Sequence, residues 1–216
     1  MFEKALQQDP APEYGAATGK ILEAALRQFE DFGLRRTTIE DIARRAGVSR
    51  VTIYRHFTNK ETLVEAVIVR ETRAFYERLD AAVQRFDTTD ERLVEGFAFA
   101  LTHARQHALL NRLLRTEPET FLPYLTTVGG PLVAAARAFV AEGLGREVKE
   151  GRLPPLDVEV AAELLVRLVL SFLLTPDSAA PLDTEAQARR FARRYLAPAL
   201  RVTAVTEAGS RRRRRS

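Results

Sequence analysis

The chain has 216 residues, 46% of them hydrophobic, with 33 basic and 29 acidic side chains and a net charge of +4. That length fits one medium domain or a small domain joined to a larger one, with enough apolar material for a sizeable core. The absence of cysteine excludes disulfides and thiolate metal sites and agrees with a reducing compartment. The N-terminal stretch MFEKALQQDPAPEYGAATG has no apolar h-region. The most apolar run, LLVRLVLSFLLTP from Leu164 to Pro176, is too short for a membrane span and carries Arg167. A soluble, cytoplasmic protein without a membrane partner is expected. The charge is uneven: Arg211–Arg215 more than account for the net value, so the body is close to neutral. Within that body, Arg35, Arg36, Arg44, Arg45, Arg50, Arg55 and Lys60 face only Glu40 and Asp41, a local basic patch that points to an anionic partner.

Residues 1–17 contain Pro10, Pro12 and Gly15 and read as a flexible arm. Its acids outnumber Lys4, which argues against insertion into a minor groove. From Thr18 the pattern is helical. TGKILEAALRQFEDFG puts Ile21, Leu22, Ala25, Leu26 and Phe29 on one face and stops at Gly33. TTIEDIARRAG starts at Thr37 or Thr38 as N-cap, with Asp41 three residues after Thr38, and ends at Gly47. Ser49 caps a short helix carrying Ile53 and Phe57, and residues 58–86 read as one long helix. Further helices are expected over 90–110 (interrupted only by Gly96), 111–115, 118–125, 131–149, 157–174 and 184–202. No strand and no internal repeat is evident. The fold class is therefore all-α with about nine helices. Its expected parts are the arm, a three-helix domain over 18–64, a larger helical domain over 65–205 and a disordered basic tail over 206–216.

Thr38 to Phe57 has the layout of a helix-turn-helix. Ile42 and Ala43 face inward from the first helix, Gly47 sits at the turn, Val48 plugs it, and Ile53 and Phe57 pin the second helix. The other half of that helix is then presented outward to a groove. The run TTIEDIARRAGVSRVTIYRHFTNKETLVEAV resembles the N-terminal DNA-binding region of the TetR family of transcriptional regulators, over roughly Thr18 to Val67. Val51 departs from the pattern, because the family usually has glycine or alanine there. The resemblance implies that Thr38, Thr52, Tyr54, His56 and Lys60 contact backbone phosphates, and that Arg50 with Val51, and Arg55, face base edges. An arginine there can bond guanine O6 and N7 together.

The resemblance also implies a C-terminal domain that forms a homodimer through the last two long helices and binds a small effector. That C-terminal region is similar to actinobacterial members of the family. A two-fold pair of short recognition helices also suits a pseudo-palindromic operator on double-stranded DNA. The expected function is a repressor released by an apolar or amphipathic molecule, given the Leu, Val, Phe and Ala available to line a pocket. Phe97, Phe121 and Arg167 are the expected effector contacts, with Asn111, Arg115, Glu117 and Tyr124 near the pocket mouth. Three features stay open. His103 and His107, at i, i+4, either hold a metal or simply line the surface or pocket; no metal or other cofactor is expected. Glu163, Arg167 and Ser171 form a polar stripe that is either an internal ion pair setting helix register or dimer geometry, or a ligand-carboxylate site at Arg167. The arginine tail either adds non-specific DNA affinity or is neutral. An enzyme is not expected, since three histidines, no cysteine and no phosphate-binding glycine loop leave little to build an active site. A nucleoid-coating protein is disfavoured by the large non-basic remainder.

Overall fold

The structure is a computed structural model and describes residues 15–126 and 130–200. Most of the expected arm and the whole basic tail lie outside those residues. Ten helices and no strand occur among the described residues. They are α1 (Ala16–Phe32), α2 (Ile39–Ala46), α3 (Arg50–His56), α4 (Lys60–Val83), α5 (Thr89–Gln106), α6 (Ala108–Thr116), α7 (Pro118–Leu125), α8 (Gly130–Lys149), α9 (Val158–Leu174) and α10 (Glu185–Phe191). A π-helical turn, Ala192–Leu196, continues α10. The chain forms two compact units. Among the described residues, one takes in 15–75 with 107–126 and 130–132, and the other 76–106 with 133–200.

In the first unit, the 3.6-residue apolar repeat of α1 buries Ile21, Leu22, Ala25 and Phe29 against Ile39, Ile42 and Ala43 of α2 and Ile53 of α3. Leu63 and Val67 of α4 and Leu109 and Leu113 of α6 complete this core. Each such buried Ile, Leu, Val or Phe side chain contributes about 2 kcal/mol of apolar burial. The two α6 leucines have a consequence the sequence did not suggest. Leu109, Leu113 and Phe121, from a stretch expected in the larger domain, share a core with the helix-turn-helix.

The second unit has two apolar clusters. One joins Val94, Phe97, Ala98 and Leu101 of α5 to Leu182, Ala188, Ala192 and Leu196. The other joins Ala141 and Leu144 of α8 to Leu153, Leu156, Ala161, Ala162 and Leu200. Phe97, Phe172 and Phe191 pack mutually, with ring centroids 5.3–6.4 Å apart. Gly96 does not interrupt α5. It permits close packing instead, because a Cβ there would lie 3.3 Å from the Val83 side chain. Glu147 is the polar hub of this unit. It is buried, and it accepts hydrogen bonds from Thr89 Oγ1 (2.6 Å), Arg92 Nη1 (2.6 Å) and Arg152 Nε and Nη2 (2.9 and 2.8 Å).

Two boundaries differ from the sequence reading. The helix expected over 90–110 ends at Gln106, and His107 is the N-cap of α6, its Nδ1 accepting from the Leu110 amide at 3.3 Å. The last helix contains the π turn, in which the Ala197 amide bonds back five residues to Ala192. Pro198 supplies a reason: it has no amide for a regular i→i−4 bond and its ring crowds the carbonyl four residues earlier.

Candidate nucleic-acid interface

The helix-turn-helix is fixed at both of its caps. Thr38 is the N-cap of α2 and forms a reciprocal box with Asp41. The Asp41 amide donates to Thr38 Oγ1 (3.2 Å), while the Thr38 amide and hydroxyl donate to Asp41 Oδ2 (3.2 and 2.6 Å). These bonds hold the Asp41 carboxyl below its usual range, the Thr38 hydroxyl contributing most. Thr37, the alternative cap, is buried and donates to the Gly33 carbonyl at 2.7 Å. At the turn Gly47 has φ 67° and ψ 32°, the left-handed region that a Cβ disfavours. Nothing lies within 4 Å of where a Cβ would sit, so backbone conformation alone demands glycine. The Ser49 side chain then caps α3 by accepting from the Thr52 amide at 3.1 Å.

Ile53 is fully buried beneath α3 and Phe57 nearly so. On the opposite side Arg50, Val51, Tyr54, Arg55 and His56 are exposed, Val51 by 69% and Tyr54 by 53%. Thr52 is half-buried. The short helix thus holds an apolar valine and a tyrosine open to solvent beside Arg50, Arg55 and His56. The structure therefore brings Arg50, Val51, Thr52, Tyr54, Arg55 and His56 together on one helix.

Three side chains have partners that the sequence did not reveal. Arg50 pairs with Glu40 of α2, and that guanidinium bond holds the Glu40 carboxyl below its ordinary range. His56 Nδ1 lies 3.2 Å from Thr18 Oγ1 of α1. Lys60 Nζ donates to the Leu34 carbonyl at 2.5 Å, tying the start of α4 to the α1–α2 turn. Periodicity marks Glu40 only as an exposed acid. Its pairing across the turn, ten residues from Arg50, follows from the crossing of α2 and α3.

The expected effector contacts fall in both units. Phe97 is buried in the second unit, within its three-phenylalanine cluster. Arg167 lies on the exposed side of α9, its Nε 2.5 Å from Glu163 Oε1. Phe121 belongs to the first unit, half-buried against the helix-turn-helix core. The Glu163–Arg167 pair exists, but it is an exposed pair and not an internal one. It borders a shallow groove of about 260 Å³ lined by Arg137, Glu159, Val160, Glu163 and Leu164. The paired-histidine reading is corrected, since the helix breaks between the two residues. His107 Nε2 faces Glu71 at 3.9 Å, and the His103 ring stacks on Phe99. Among the described residues no group of three or more His, Asp or Glu is placed to hold a metal ion, and no helix is long and apolar enough to cross a membrane.

Comparisons with known proteins agree with this geometry. The profile for bacterial regulatory proteins of the tetR family matches residues 21–67, and that for the C-terminal domain of the bacterial tetracyclin repressor matches 89–194. The probable HTH-type transcriptional regulator ArpR of Pseudomonas putida is 33% identical over 172 residues, covering 74% of this chain and 81% of that protein. Among solved structures, the TetR family repressor AlkX from a Dietzia species, implicated in biodegradation of n-alkanes, superposes with a TM-score of 0.62. It is 22% identical, with 86% of this chain and 98% of that one covered. The regulator FadR from Bacillus subtilis, solved in complex with stearoyl-CoA, gives 0.52 at 17% identity, over 81% and 96% of the two chains. With the family matched at both ends and the helix-turn-helix formed as its pattern requires, this chain belongs to the TetR family of DNA-binding transcriptional regulators.

Proposed function

We propose that the protein is a homodimeric repressor that leaves a pseudo-palindromic operator when an apolar or amphipathic molecule binds. The observation that carries the DNA half is the exposed face of α3, rigidly backed by Ile53 and Phe57. In this reading Arg50, with Val51, and Arg55 meet base edges. Thr52, Tyr54, His56 and Lys60 meet phosphates, and Thr38 meets one at the start of α2, where the helix dipole favours an anion. Arg50 exchanges Glu40 for its DNA partner on binding.

A second copy is supported by the outer face of α9, where Val160 and Leu164 are more than half exposed beside Arg137, Glu159 and Glu163. The effector class is supported by the wholly apolar Phe97–Phe172–Phe191 cluster, which a ligand would enter by parting the rings. Stearoyl-CoA in the FadR neighbour is in keeping with that class. Phe97 is the favoured contact of the three expected, with Phe121 and Arg167 as further ones. Such a regulator works in the cytoplasm, where the operator is.

The test is selection from random duplex DNA by the purified protein at physiological salt, with sequencing of the survivors. A recovered pseudo-palindrome bound by two copies is the expected result. Enrichment of no sequence, with binding that only fades as salt rises, overturns it.

A further inference from the structure

The α1–α2 turn, Gly33 to Thr37, decides where α2 begins, and it is gripped from a distant part of the chain. Glu117, between α6 and α7, is only 5% exposed. Its carboxylate accepts the backbone N–H of Arg35 through both oxygens, at 3.1 and 3.3 Å, across 82 residues of sequence. The approach is close: a Cβ on Gly33 would lie 2.3 Å from Glu117 Oε1. Gly33 itself has φ 82° and ψ 172°, a conformation almost confined to glycine. The neighbouring carbonyl of Leu34 receives Lys60, that of Gly33 receives Thr37, and at the rim Arg35 Nη1 reaches Glu119 at 2.9 Å.

A buried carboxylate is a costly acceptor for one amide, since desolvation penalises its charge. What it offers over a neutral acceptor is a stronger, charge-assisted bond. It is delivered from a segment that otherwise meets this core through leucines and Phe121. Apolar packing tolerates sliding; a hydrogen bond to one amide does not.

We propose that Glu117 is a positioning residue for DNA binding: it holds the Arg35 amide and so sets the start of α2 and the seat of α3. The proposal rests on the reading of α2 and α3 as the DNA-binding pair. A displacement of the α6–α7 junction then reaches the recognition helix through this carboxylate.

The test uses the full chain and a labelled duplex of the sequence that the unaltered protein selects. Glu117→Ala is expected to weaken binding roughly tenfold. Glu117→Asp keeps the charge, withdraws it by one methylene and is expected to weaken binding similarly. Glu117→Gln keeps one acceptor oxygen but loses the charge, and is expected to fall between Ala and the unaltered protein. The salt slope stays nearly unchanged throughout, because no cation that meets a phosphate is removed. Folded Ala and Asp variants that bind like the unaltered protein overturn the proposal. Amide exchange on the unaltered protein is the independent check, and holds even where a variant fails to fold. Arg35 should exchange far more slowly than Arg36, and equal rates overturn the clamp. If the unaltered protein selects no duplex, the DNA-binding assignment fails instead, and exchange at Arg35 still reports on the contact.

Discussion

Glu147 offers the sharpest energetic prediction. It is buried and takes hydrogen bonds from two arginines and a threonine, with Arg152 contributing most to holding its carboxyl down to about 2 from an ordinary 4.5. That gap corresponds to about 3 kcal/mol of native-state preference for the charged form. The folded value lies below the unfolded one, so the stabilisation is complete above about pH 4.5 and drains away as the pH falls toward 2. Glu147→Gln keeps the shape and removes the charge, so it should cost about 3 kcal/mol at pH 7, a large share of a typical domain's stability. Urea unfolding followed by circular dichroism, at pH 7, 4 and 2.5 for both proteins, measures it. Other carboxylates titrate in both, so the difference between the proteins isolates this one. A cost below about 1 kcal/mol at pH 7, or a difference that persists undiminished at pH 2.5, refutes the reasoning.

Gly47→Ala should destabilise the protein by about 1 kcal/mol through backbone strain alone, with Gly47→Asn costing less, since the space for a Cβ is open; thermal unfolding of both variants decides it. Glu40→Gln should raise affinity for a scrambled duplex several-fold and for the selected duplex less, because Arg50 is released from its partner in the free protein. Anisotropy titrations with the two duplexes giving an unchanged affinity ratio would show that Glu40 does not restrain Arg50.

Much of the first unit was legible because its signals are local. The capping pair Thr38–Asp41, the turn glycine and the i, i+4 pair Ile53–Phe57 each act within a few residues. The break at His107 was not legible, since a histidine N-cap leaves the apolar periodicity on either side nearly continuous. Nor was the placement of Leu109 and Leu113, because a buried leucine does not announce which core it enters. The partners of Arg50, Lys60 and Arg35 are long-range polar contacts, set by how helices cross. Composition located the basic patch; only coordinates show that several of its cations are already engaged.

The π turn after α10 changes the phase of everything that follows it. Ala188, Ala192 and Leu196, at a strict four-residue interval, enter one apolar cluster. On a regular helix each such step rotates the side chain by about 40° around the axis, so two steps would carry Leu196 about 80° from the direction of Ala188. A turn closed by i→i+5 bonds rotates less per residue and cancels part of that drift. A proline at 198 and a four-residue apolar rhythm thus converge on one solution: a locally slack helix keeps a straight seam where a tighter one would spiral out of contact.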